Sequence, residues 1–488
     1  MDHSQAPVLD ALKAYRRERQ MPFTPPGHKQ GRGADPRVRE VLGEAVFGSD
    51  VLAVSGLDDR MSRHKVLERA QELMADAVHA EQTFFSTCGS SLSVKSAMLA
   101  VAGPHEKLVV GRDAHKSVVS GLILSGVRPI WVDPQWDPVR HVAHPPSPEG
   151  FAARLDEHPD ARGALVTSPT PYGTCADLAA IAEVCHARGK PLIVDEAWGA
   201  HLPFHEDLPT WAMDAGADVC VTSVHKMGAG LEQGSVFHQQ GDLVDPAVLK
   251  GREDLLGTTS PSVLIYAGLD GWRRQMVESG RELLGNALDR AAALRGEIGA
   301  IPGFTVQGEE QFIGPDRAHS LDPLQIIIDI DGLGTTGYHA ADWIRDHHQV
   351  NLHLSDHRRI SAQLTFADDA ATAERLLVAL HDLRDHIDDL EGAPRVAVPD
   401  PGDLRLEQVV LPRDAFFGPT EQVSAEKAVG RLSAEMITPY PPGIPAVLPG
   451  ERINEAVMEY VRSGVKAGMV IPDAVDPEME SVRVAIED

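Results

Sequence analysis

The first candidate for chemistry is Lys226, which follows the short apolar run 219–221 and lies close in sequence to Thr222, Ser223 and His225. Lysine is rarely buried unless it is paired or covalently used. An amine in a partly desolvated site has a lowered pKa and can form a Schiff base with an aldehyde. The alternative is a surface lysine after a strand, and this segment alone does not decide between the two.

A second candidate is the polar stretch 86–93, where Gly89, Ser90 and Ser91 stand at the start of a predicted helix. The first turn of a helix presents free N–H groups and a partial positive charge. Glycine lets the backbone approach a ligand and the hydroxyls add donors, so the stretch suits a phosphate. The alternative is an ordinary serine N-cap. No GxxxxGK[ST] or GxGxxG sequence occurs nearby, so a nucleotide is not implied.

Two further polar residues stand at predicted strand ends. His115 lies between a strand and a helix and could stack on a planar ring, or it could be a capping or core histidine. Asp195 ends an apolar strand, so we expect it to be sequestered and to need a cationic partner. A protonated pyridine nitrogen is one such partner, and a nearby arginine is the alternative.

Together these features comprise a phosphate cradle, a stacking histidine, a carboxylate for a ring nitrogen and a reactive lysine. They occur in that order along the chain, each at the end of a predicted strand. These are the parts needed to hold pyridoxal 5′-phosphate (PLP). The joint pattern favours this interpretation more strongly than any single residue does.

Strands and helices alternate from about residue 64 to 240, which predicts a mainly parallel sheet with helices on both faces. Ligands bind at the carboxyl ends of strands in such sheets, where the polar residues above stand. The predicted helices are 64–80, 90–101, 116–125, 150–158 and 176–188, and the predicted strands are 82–86, 107–111, 128–132, 163–167, 191–195, 218–222 and 234–238.

The chain of 488 residues is too long for one core. We predict an N-terminal helix and arm over 1–60, a large domain over 61–300 that ends in a long helix from 262, a small α/β domain over 301–390 and a C-terminal domain over 403–488. A linker rich in proline and glycine separates the last two.

Prolines force the arm segment 21–29 into extended and turn geometry. A linker is the simplest interpretation of this segment. It ends in Gly-His-Lys, however, so His28 and Lys29 are kept as residues that an arm could bring over a site.

The amino-acid composition argues against several classes of binding partner and cellular setting. The net charge of −27 argues against nucleic acid or an anionic membrane. None of the four cysteines forms a CxxC pair, so we expect no metal site, no disulfide framework and a reducing, cytoplasmic setting. Residues 1–20 are polar, and no run reaches the roughly 20 apolar residues needed to cross a bilayer, so neither a signal peptide nor a membrane span is expected.

Over nearly its whole length the sequence resembles the fold-type-I Orn/Lys/Arg decarboxylases in their short form, such as bacterial biosynthetic arginine decarboxylases. The Asp-Glu-Ala and His-Lys motifs are shared with many PLP enzymes, whereas the terminal Pro-Tyr-Pro-Pro-Gly-Ile-Pro stretch is much more specific. The matching motifs are 26–29, 89–91, 115–117, 195–198, 223–226, 258–261 and 439–445.

The resemblance implies an α/β fold like that of PLP-dependent transferases (aspartate aminotransferase-like), with a smaller α/β domain and a C-terminal α+β domain. It implies Lys226 as the Schiff-base lysine, Asp195 as the partner of the pyridinium nitrogen and His115 as the stacking residue. It implies a homodimer or higher homo-oligomer in which Thr259 reaches the phosphate of the neighbouring subunit. It also implies further cofactor-binding roles for Ser90, Ser91, Ala197, Trp198, Ser223 and His225.

Two positions depart from the family pattern. Short-form relatives often have a glutamate where His353 stands, and an acidic group there would suit a cationic substrate tail. His353, with Asp356 as an alternative acceptor, therefore bears on the choice of substrate rather than on the cofactor. Val224 replaces a common hydroxyl residue.

The leading hypothesis is α-decarboxylation of a basic L-amino acid, arginine first and then lysine or ornithine, with Lys226 or His225 returning a proton to Cα. One rival is a PLP-dependent aminotransferase or lyase, in which Arg358 or Arg359 would hold the substrate carboxylate. A rival from another class is a PLP-binding protein without turnover.

Overall fold

The computed structural model describes residues 1–53, 57, 65–390, 392, 394–440 and 442–487. The chain divides into two compact units, the first formed by 1–101 and 191–283 and the second by 102–190 and 284–488. The end of the predicted arm near residue 60, the first residue of the helix predicted at 64, and Pro441 of the proline-rich motif lie outside the described residues. The predicted domain boundaries stay predictions.

The secondary structure covers both units. The helices are α1 (Pro7–Glu18), α2 (Pro36–Leu42), α3 (Glu44–Ser49), α4 (Val66–Ala77), α5 (Ser90–Val101), α6 (Lys116–Ser125), α7 (Pro148–Glu157), α8 (Leu178–His186), α9 (Val224–Met227), α10 (Pro246–Leu256), α11 (Val263–Gly299), α12 (Glu309–Phe312), α13 (Gly337–His348), α14 (Ala370–Asp385), α15 (Pro412–Phe417), α16 (Ala425–Ala428) and α17 (Glu455–Lys466). The strands are β1 (Gln82–Ser86), β2 (Lys107–Gly111), β3 (Arg128–Val132), β4 (Gln135–Asp137), β5 (Val142–His144), β6 (Ala164–Thr167), β7 (Thr174–Cys175), β8 (Leu192–Asp195), β9 (Val219–Ser223), β10 (Ser235–Gln239), β11 (Thr305–Gln307), β12 (Ser320–Leu321), β13 (Gln325–Asp329), β14 (Leu354–Ser355), β15 (Arg359–Gln363), β16 (Thr420–Ser424) and β17 (Ser481–Ala485).

The α/β class with mainly parallel strands is confirmed. In the first unit β8 pairs in parallel with β9, while β10 runs antiparallel to both β9 and β1. In the second unit β2 pairs in parallel with β3 and with β6. Strands β6, β8 and β9 are buried at every position, as expected of apolar runs in a sheet covered on both faces.

The second unit also contains an antiparallel sheet in the order β11-β13-β15-β14. Its strand β15 begins at Arg359 and ends at Gln363. Nearer the C-terminus β16 pairs antiparallel with β17, and α17 belongs to a cluster of buried apolar side chains that includes Val457 and Val482.

Side-chain caps explain where several helices begin. Asp177 caps α8, and Asp369 caps α14 by accepting hydrogen bonds from two backbone N–H groups. Helix α10 was not predicted, although Asp245 caps it and Pro246 occupies its first turn, which are the usual signals of a helix start. Such caps satisfy N–H groups that have no partner inside the helix.

A buried ion pair fastens the N-terminal segment to α11. Arg273 is fully buried, its Nη2 lies 3.0 Å from Asp270 Oδ1, and its Nη1 donates to the carbonyl of His3 at 2.9 Å. Asp270 Oδ2 accepts the N–H of Val8, which belongs to α1. The helix begins at Pro7 rather than at residue 1 because the preceding backbone makes these contacts instead.

No helix in the described ranges combines the length and the apolar character needed to cross a membrane.

Candidate active site

Lys226 stands where β9 ends and the chain turns through α9. The parallel register pairs Asp195, the last residue of β8, with Val221 of β9, so both strands end at the same edge. Beyond the lysine, a Cβ on Gly228 would lie 2.7 Å from the Val224 carbonyl oxygen and 2.8 Å from the Trp272 ring. Only glycine fits this turn, which therefore fixes where the lysine leaves the sheet.

Burial sets the charge balance at Lys226 and Asp195. Desolvation lowers the pKa of Lys226 to about 8, although the negative charge of Asp195 acts in the opposite direction. Desolvation also raises the pKa of Asp195, against the effects of Lys226 and of the backbone N–H of Ala197. A lowered lysine pKa increases the fraction of neutral, nucleophilic amine near neutral pH.

One oxygen of Asp195 fits a cationic N–H donor. The residue is 3% exposed, and its Oδ1 has no hydrogen-bond partner among the described residues. A buried carboxylate oxygen without a donor is costly, and a protonated pyridine nitrogen would remove that cost. On the other side, Lys226 Nζ lies 3.8 Å from the centroid of the Trp198 ring.

Two hydroxyls meet at the start of α5. Ser223 Oγ donates to Ser90 Oγ at 2.7 Å. Gly89 precedes the helix with a φ of +75°, and its N–H donates to the Gln233 carbonyl at 3.0 Å. The helix begins directly after this left-handed turn, and Ser91 is exposed in its first turn. This arrangement suits a phosphate.

His225 is held in one tautomer when it is neutral. Its Nδ1 lies 3.2 Å from the Gly234 carbonyl, and only an N–H can donate to a carbonyl. Neutral His225 therefore keeps Nε2 as an acceptor. Burial lowers its pKa, and nearby Lys226 lowers it further, so the acceptor form prevails at neutral pH.

Glu196 is a buried acid that the sequence interpretation missed. Its Oε2 accepts from the backbone N–H of Ala212 and from Cys220 Sγ, each at 3.2 Å. Burial raises its pKa well above the ordinary value. A Cβ on Gly199 would overlap its side chain. The signal in the sequence was a second carboxyl directly after Asp195.

His115 caps α6 in the second unit. Its Nδ1 accepts the backbone N–H of Ser117 at 3.2 Å and lies 2.9 Å from the hydroxyl of the same serine. The neutral ring therefore carries its proton on Nε2. The capping alternative describes what the ring does locally. The cap uses a nitrogen in the ring plane and leaves the ring faces to other contacts. The cap therefore does not test the stacking role, which stays a prediction.

The two residues considered for the substrate tail also lie in the second unit. Asp356 accepts from Arg359 Nη1 at 2.6 Å, from Tyr172 at 2.9 Å, and from the backbone N–H groups of Arg358 and Arg359, each at 2.8 Å. Burial alone would raise its pKa, but the charge of Arg359 and these hydrogen bonds lower it to about 2. A substrate cation would have to displace Arg359 to reach it.

His353 lines a cavity of about 430 Å³ whose other charged lining residues are Arg290, Arg375 and Asp368. Its backbone N–H donates to the Ser361 carbonyl at 2.9 Å. Two arginines beside one aspartate make this cavity a poor receptor for a cation. The substrate roles of His353 and Asp356 stay predictions.

The remaining predicted residues lie elsewhere in the first unit. His28 Nε2 lies 3.0 Å from Asp50, and Lys29 donates to the Thr24 carbonyl at 2.6 Å, so both hold the arm in its own fold. Thr259 lines a cavity of about 790 Å³ together with Lys250. Within the described part of the chain, the lining of that cavity does not include Lys226 or the residues around it.

The chain is similar to several known proteins. Residues 6–371 match the family model for the major domain of Orn/Lys/Arg decarboxylases, and residues 405–478 match the model for their C-terminal domain. The chain is 39% identical to an arginine decarboxylase of Halalkalibacterium halodurans over 99% of this chain and 98% of the relative. It is 35% identical to an arginine decarboxylase of Bacillus subtilis over 100% and 99%.

The fold is likewise similar to that of solved lysine decarboxylases. That of Francisella novicida matches with a TM-score of 0.82 at 21% identity, covering 98% of this chain and 79% of the other. The constitutive enzyme of E. coli matches with a TM-score of 0.81 at 22% identity, covering 99% and 82%. At these identities the likeness concerns the fold, and it confirms the predicted fold type.

Asp113, two residues before His115, provides a test of how strongly the protein desolvates this part of the second unit. Neither carboxyl oxygen has a partner on another residue within the described ranges, and burial raises the pKa of Asp113 to about 7. The carboxyl of Asp113 has a pKa of about 7 in the folded protein, whereas an unfolded aspartate has one near 3.9. The free energy of unfolding of the protein therefore falls as pH rises from 4 to 7. The cost at higher pH is about 4 kcal/mol.

We therefore expect Asp113→Asn to unfold in urea with nearly wild-type free energy at pH 5 and with a higher free energy than wild type at pH 8. Asp388→Asn, which changes an exposed carboxylate, serves as the control and should have little effect at either pH. An equal difference between Asp113→Asn and wild type at both pH values would contradict a buried carboxyl that ionises in this range.

Proposed function

Because the chain belongs to the Orn/Lys/Arg decarboxylase family and is thus an amino-acid decarboxylase, we propose that it uses PLP to convert L-arginine into the corresponding amine and CO2. Lysine and ornithine are the next substrates in order. The observation that carries the proposal is the half-buried, desolvated Lys226 amine near Asp195, whose Oδ1 has no partner among the described residues. Arginine comes first because relatives named arginine decarboxylase are 35–39% identical over nearly the full chain.

In this proposal the first unit holds the cofactor by its two ends. Lys226 attaches covalently to its aldehyde, Asp195 accepts the N–H of its ring, and Ser90, Ser91 and Ser223 receive its phosphate. When bound, the cofactor supplies an electron sink for the pair released as CO2 leaves. Asp195 maintains that sink because a carboxylate in a desolvated site favours a protonated ring nitrogen.

The side chains around Lys226 then have separate tasks. Trp198 covers the lysine at 3.8 Å and keeps water from it, and the backbone N–H of Ala197 holds Asp195. Either Lys226 or His225 returns a proton to Cα of the substrate. Neutral His225 donates its Nδ1 proton to the Gly234 carbonyl, so it can deliver a proton from Nε2 only after it has gained one there.

We further propose that His115 stacks on the cofactor ring, as the family resemblance implies. The proposal is consistent with its cap, which engages Nδ1 in the ring plane. We propose a homodimer or higher homo-oligomer in which Thr259 of one chain serves the site of its neighbour. Its place beside a large cavity of the first unit leaves room for a part of another chain.

A cytoplasmic setting and a role in polyamine biosynthesis complete the proposal. The cytoplasmic setting is supported by the four cysteines, none of which forms a CxxC pair in the sequence. The second is supported by the chemistry of the product, since removal of the carboxylate from a basic amino acid leaves a molecule with cationic groups at both ends.

The rival aminotransferase has less support. An aminotransferase would need Arg358 or Arg359 to bind the substrate carboxylate. Arg358 Nη2 lies 2.6 Å from Asp329, and Arg359 Nη1 lies 2.6 Å from Asp356. Both guanidinium groups are thus committed to buried carboxylates. A PLP-binding protein without turnover would bind the cofactor but release no product.

The first test is covalent labelling combined with product analysis. Borohydride reduction of the protein loaded with PLP, followed by peptide mapping, should place the pyridoxyl group on Lys226, and Lys226→Arg should remain unlabelled at that peptide. The protein should also be incubated with each common amino acid in turn. Arginine should release CO2 and an amine most rapidly. A label on another lysine would refute the attachment, and a keto acid product would favour the aminotransferase.

The second test is Asp195→Asn. The amide cannot favour a proton on the ring nitrogen, so turnover should fall while the fold persists. Loss of a charge-assisted contact costs about 1.5–3 kcal/mol, or roughly 10- to 100-fold. Circular dichroism should show unchanged secondary structure, and the exposed Asp207→Asn should keep wild-type turnover. Near-wild-type turnover in Asp195→Asn would exclude this role.

The third test concerns His353. If its imidazole lines the substrate site with a pKa near 6.5, the cationic form repels the guanidinium of arginine, and KM should rise about fourfold between pH 7.5 and 6.0. His353→Glu should remove this rise, because a carboxylate pairs with a guanidinium. The exposed His347→Gln is the control. Identical pH profiles of KM in wild type and His353→Glu would exclude His353 from substrate recognition.

A further inference from the structure

Gly443 and Pro445 of the proline-rich motif have no task in the chemistry above, yet both accept hydrogen bonds from the loop and helix start after β2, where His115 stands. We propose that Gly443 is a positioning residue that holds the ring of His115, so that the C-terminal part of the chain sets the face offered to the cofactor. The inference rests on the proposed function, because it assigns His115 to the cofactor ring.

The backbone on the C-terminal side of His115 is hydrogen-bonded to Gly443. The N–H of Lys116 donates to the Gly443 carbonyl at 3.0 Å. Lys116 Nζ contacts both carboxyl oxygens of Asp473, at 3.0 and 3.1 Å, and lies 6.0 Å from the centroid of the Tyr440 ring. The first residue of α6 therefore has its backbone and its side chain fixed by residues more than 300 positions later.

The other side of His115 is tied in the same way. Arg112 Nη1 donates to the Pro445 carbonyl at 2.9 Å, and its Nη2 lies 3.1 Å from Glu451, which is 1% exposed. A buried pair of this kind is strongly destabilised when one partner is removed. His115 thus stands between Arg112, whose side chain binds Pro445 and Glu451, and Lys116, whose backbone binds Gly443 and whose side chain binds Asp473.

Between these two anchors Gly443 closes one edge of the imidazole. A Cβ there would lie 3.2 Å from both Cδ2 and Nε2 of His115 and 3.4 Å from Cδ2 of Tyr440. At 3.2 Å a methyl group is too close to a ring, and the neighbour must shift by a few tenths of an ångström. The φ of Gly443 is +88°, so the backbone conformation also favours glycine here.

The ring cannot move without losing its other contact. Nδ1 accepts the N–H of Ser117, which fixes one edge, and Gly443 packs on the opposite edge at Nε2 and Cδ2. A methyl group at position 443 therefore turns the ring or breaks the cap of α6. Either change alters the face that stacks, while the chemistry of Lys226 and Asp195 stays intact.

The test compares Gly443→Ala with Gly430→Ala. Gly430 has nearly the same φ, +84°, but a Cβ there meets no heavy atom within 4 Å. Both variants carry the same backbone strain, and only the first presses on His115. We expect Gly443→Ala to weaken PLP binding about 10-fold or more relative to Gly430→Ala, and to change the visible circular dichroism of the bound cofactor, with similar melting temperatures of the two apo proteins.

A double-mutant cycle separates an action through His115 from a general loosening. Asparagine is a good N-cap, so His115→Asn removes the ring but keeps the acceptor for α6. Added to His115→Asn, Gly443→Ala should cause no further loss of PLP affinity. If Gly443→Ala does not fold, Asp473→Asn, which releases Lys116, should give a smaller loss of affinity that His115→Asn likewise abolishes.

The outcomes distinguish the two proposals. Equal PLP affinity of Gly443→Ala and Gly430→Ala overturns the inference alone, as does a full additional loss in the His115→Asn background. A wild-type protein that binds no PLP overturns the proposed function and the inference together. Loss of turnover at unchanged PLP affinity and unchanged dichroism also overturns the inference, because the ring would then be undisturbed.

Discussion

The site depends on the removal of water from an amine and a carboxylate that share one edge of a parallel pair of strands. Water would hold Lys226 fully charged and Asp195 fully ionised. Burial opposes both charges, and the attraction between the two restores part of each. The result is an amine whose pKa is about 8 and a carboxylate with an oxygen still available to a cation. Other features of the first unit surround this pair, including Trp198 over the lysine and the buried Glu196 directly after Asp195.

The paired strand ends could be predicted from the sequence because each signal is local. Strands β1, β2 and β3 and helices α5 and α6 have the predicted bounds, since short apolar runs alternate with amphipathic or serine-capped stretches. Each family motif likewise consists of residues that lie within a few positions of one another in the sequence. The proximity of Ser90 to Ser223 followed from the rule that parallel strands end at one edge, and the hydroxyls meet at 2.7 Å.

Other contacts could not be predicted because their partners are far apart in sequence and their chemistry is ordinary. The bonds of Arg112 to Pro445 and of Arg273 to His3 join positions separated by hundreds of residues, and a single sequence carries no signal of such pairing. The tail-binding role considered for Asp356 stays a prediction, and the sequence did not reveal that this carboxylate pairs with Arg359, three residues along. Residue propensities and motifs predict the local conformation of a segment. The partner of a charged side chain depends on the tertiary structure.

Buried carboxyls in the described chain differ in the partners that hold them. Asp356 and Glu451 are each paired with an arginine and fasten one segment to another. Asp113, Asp195 and Glu196 each keep an oxygen without a partner on another described residue, and burial raises the pKa of all three. An unpaired buried acid costs stability and persists where function requires it. Asp113 stands just past β2 in the second unit, whereas Asp195 ends β8 and Glu196 directly follows it in the first unit.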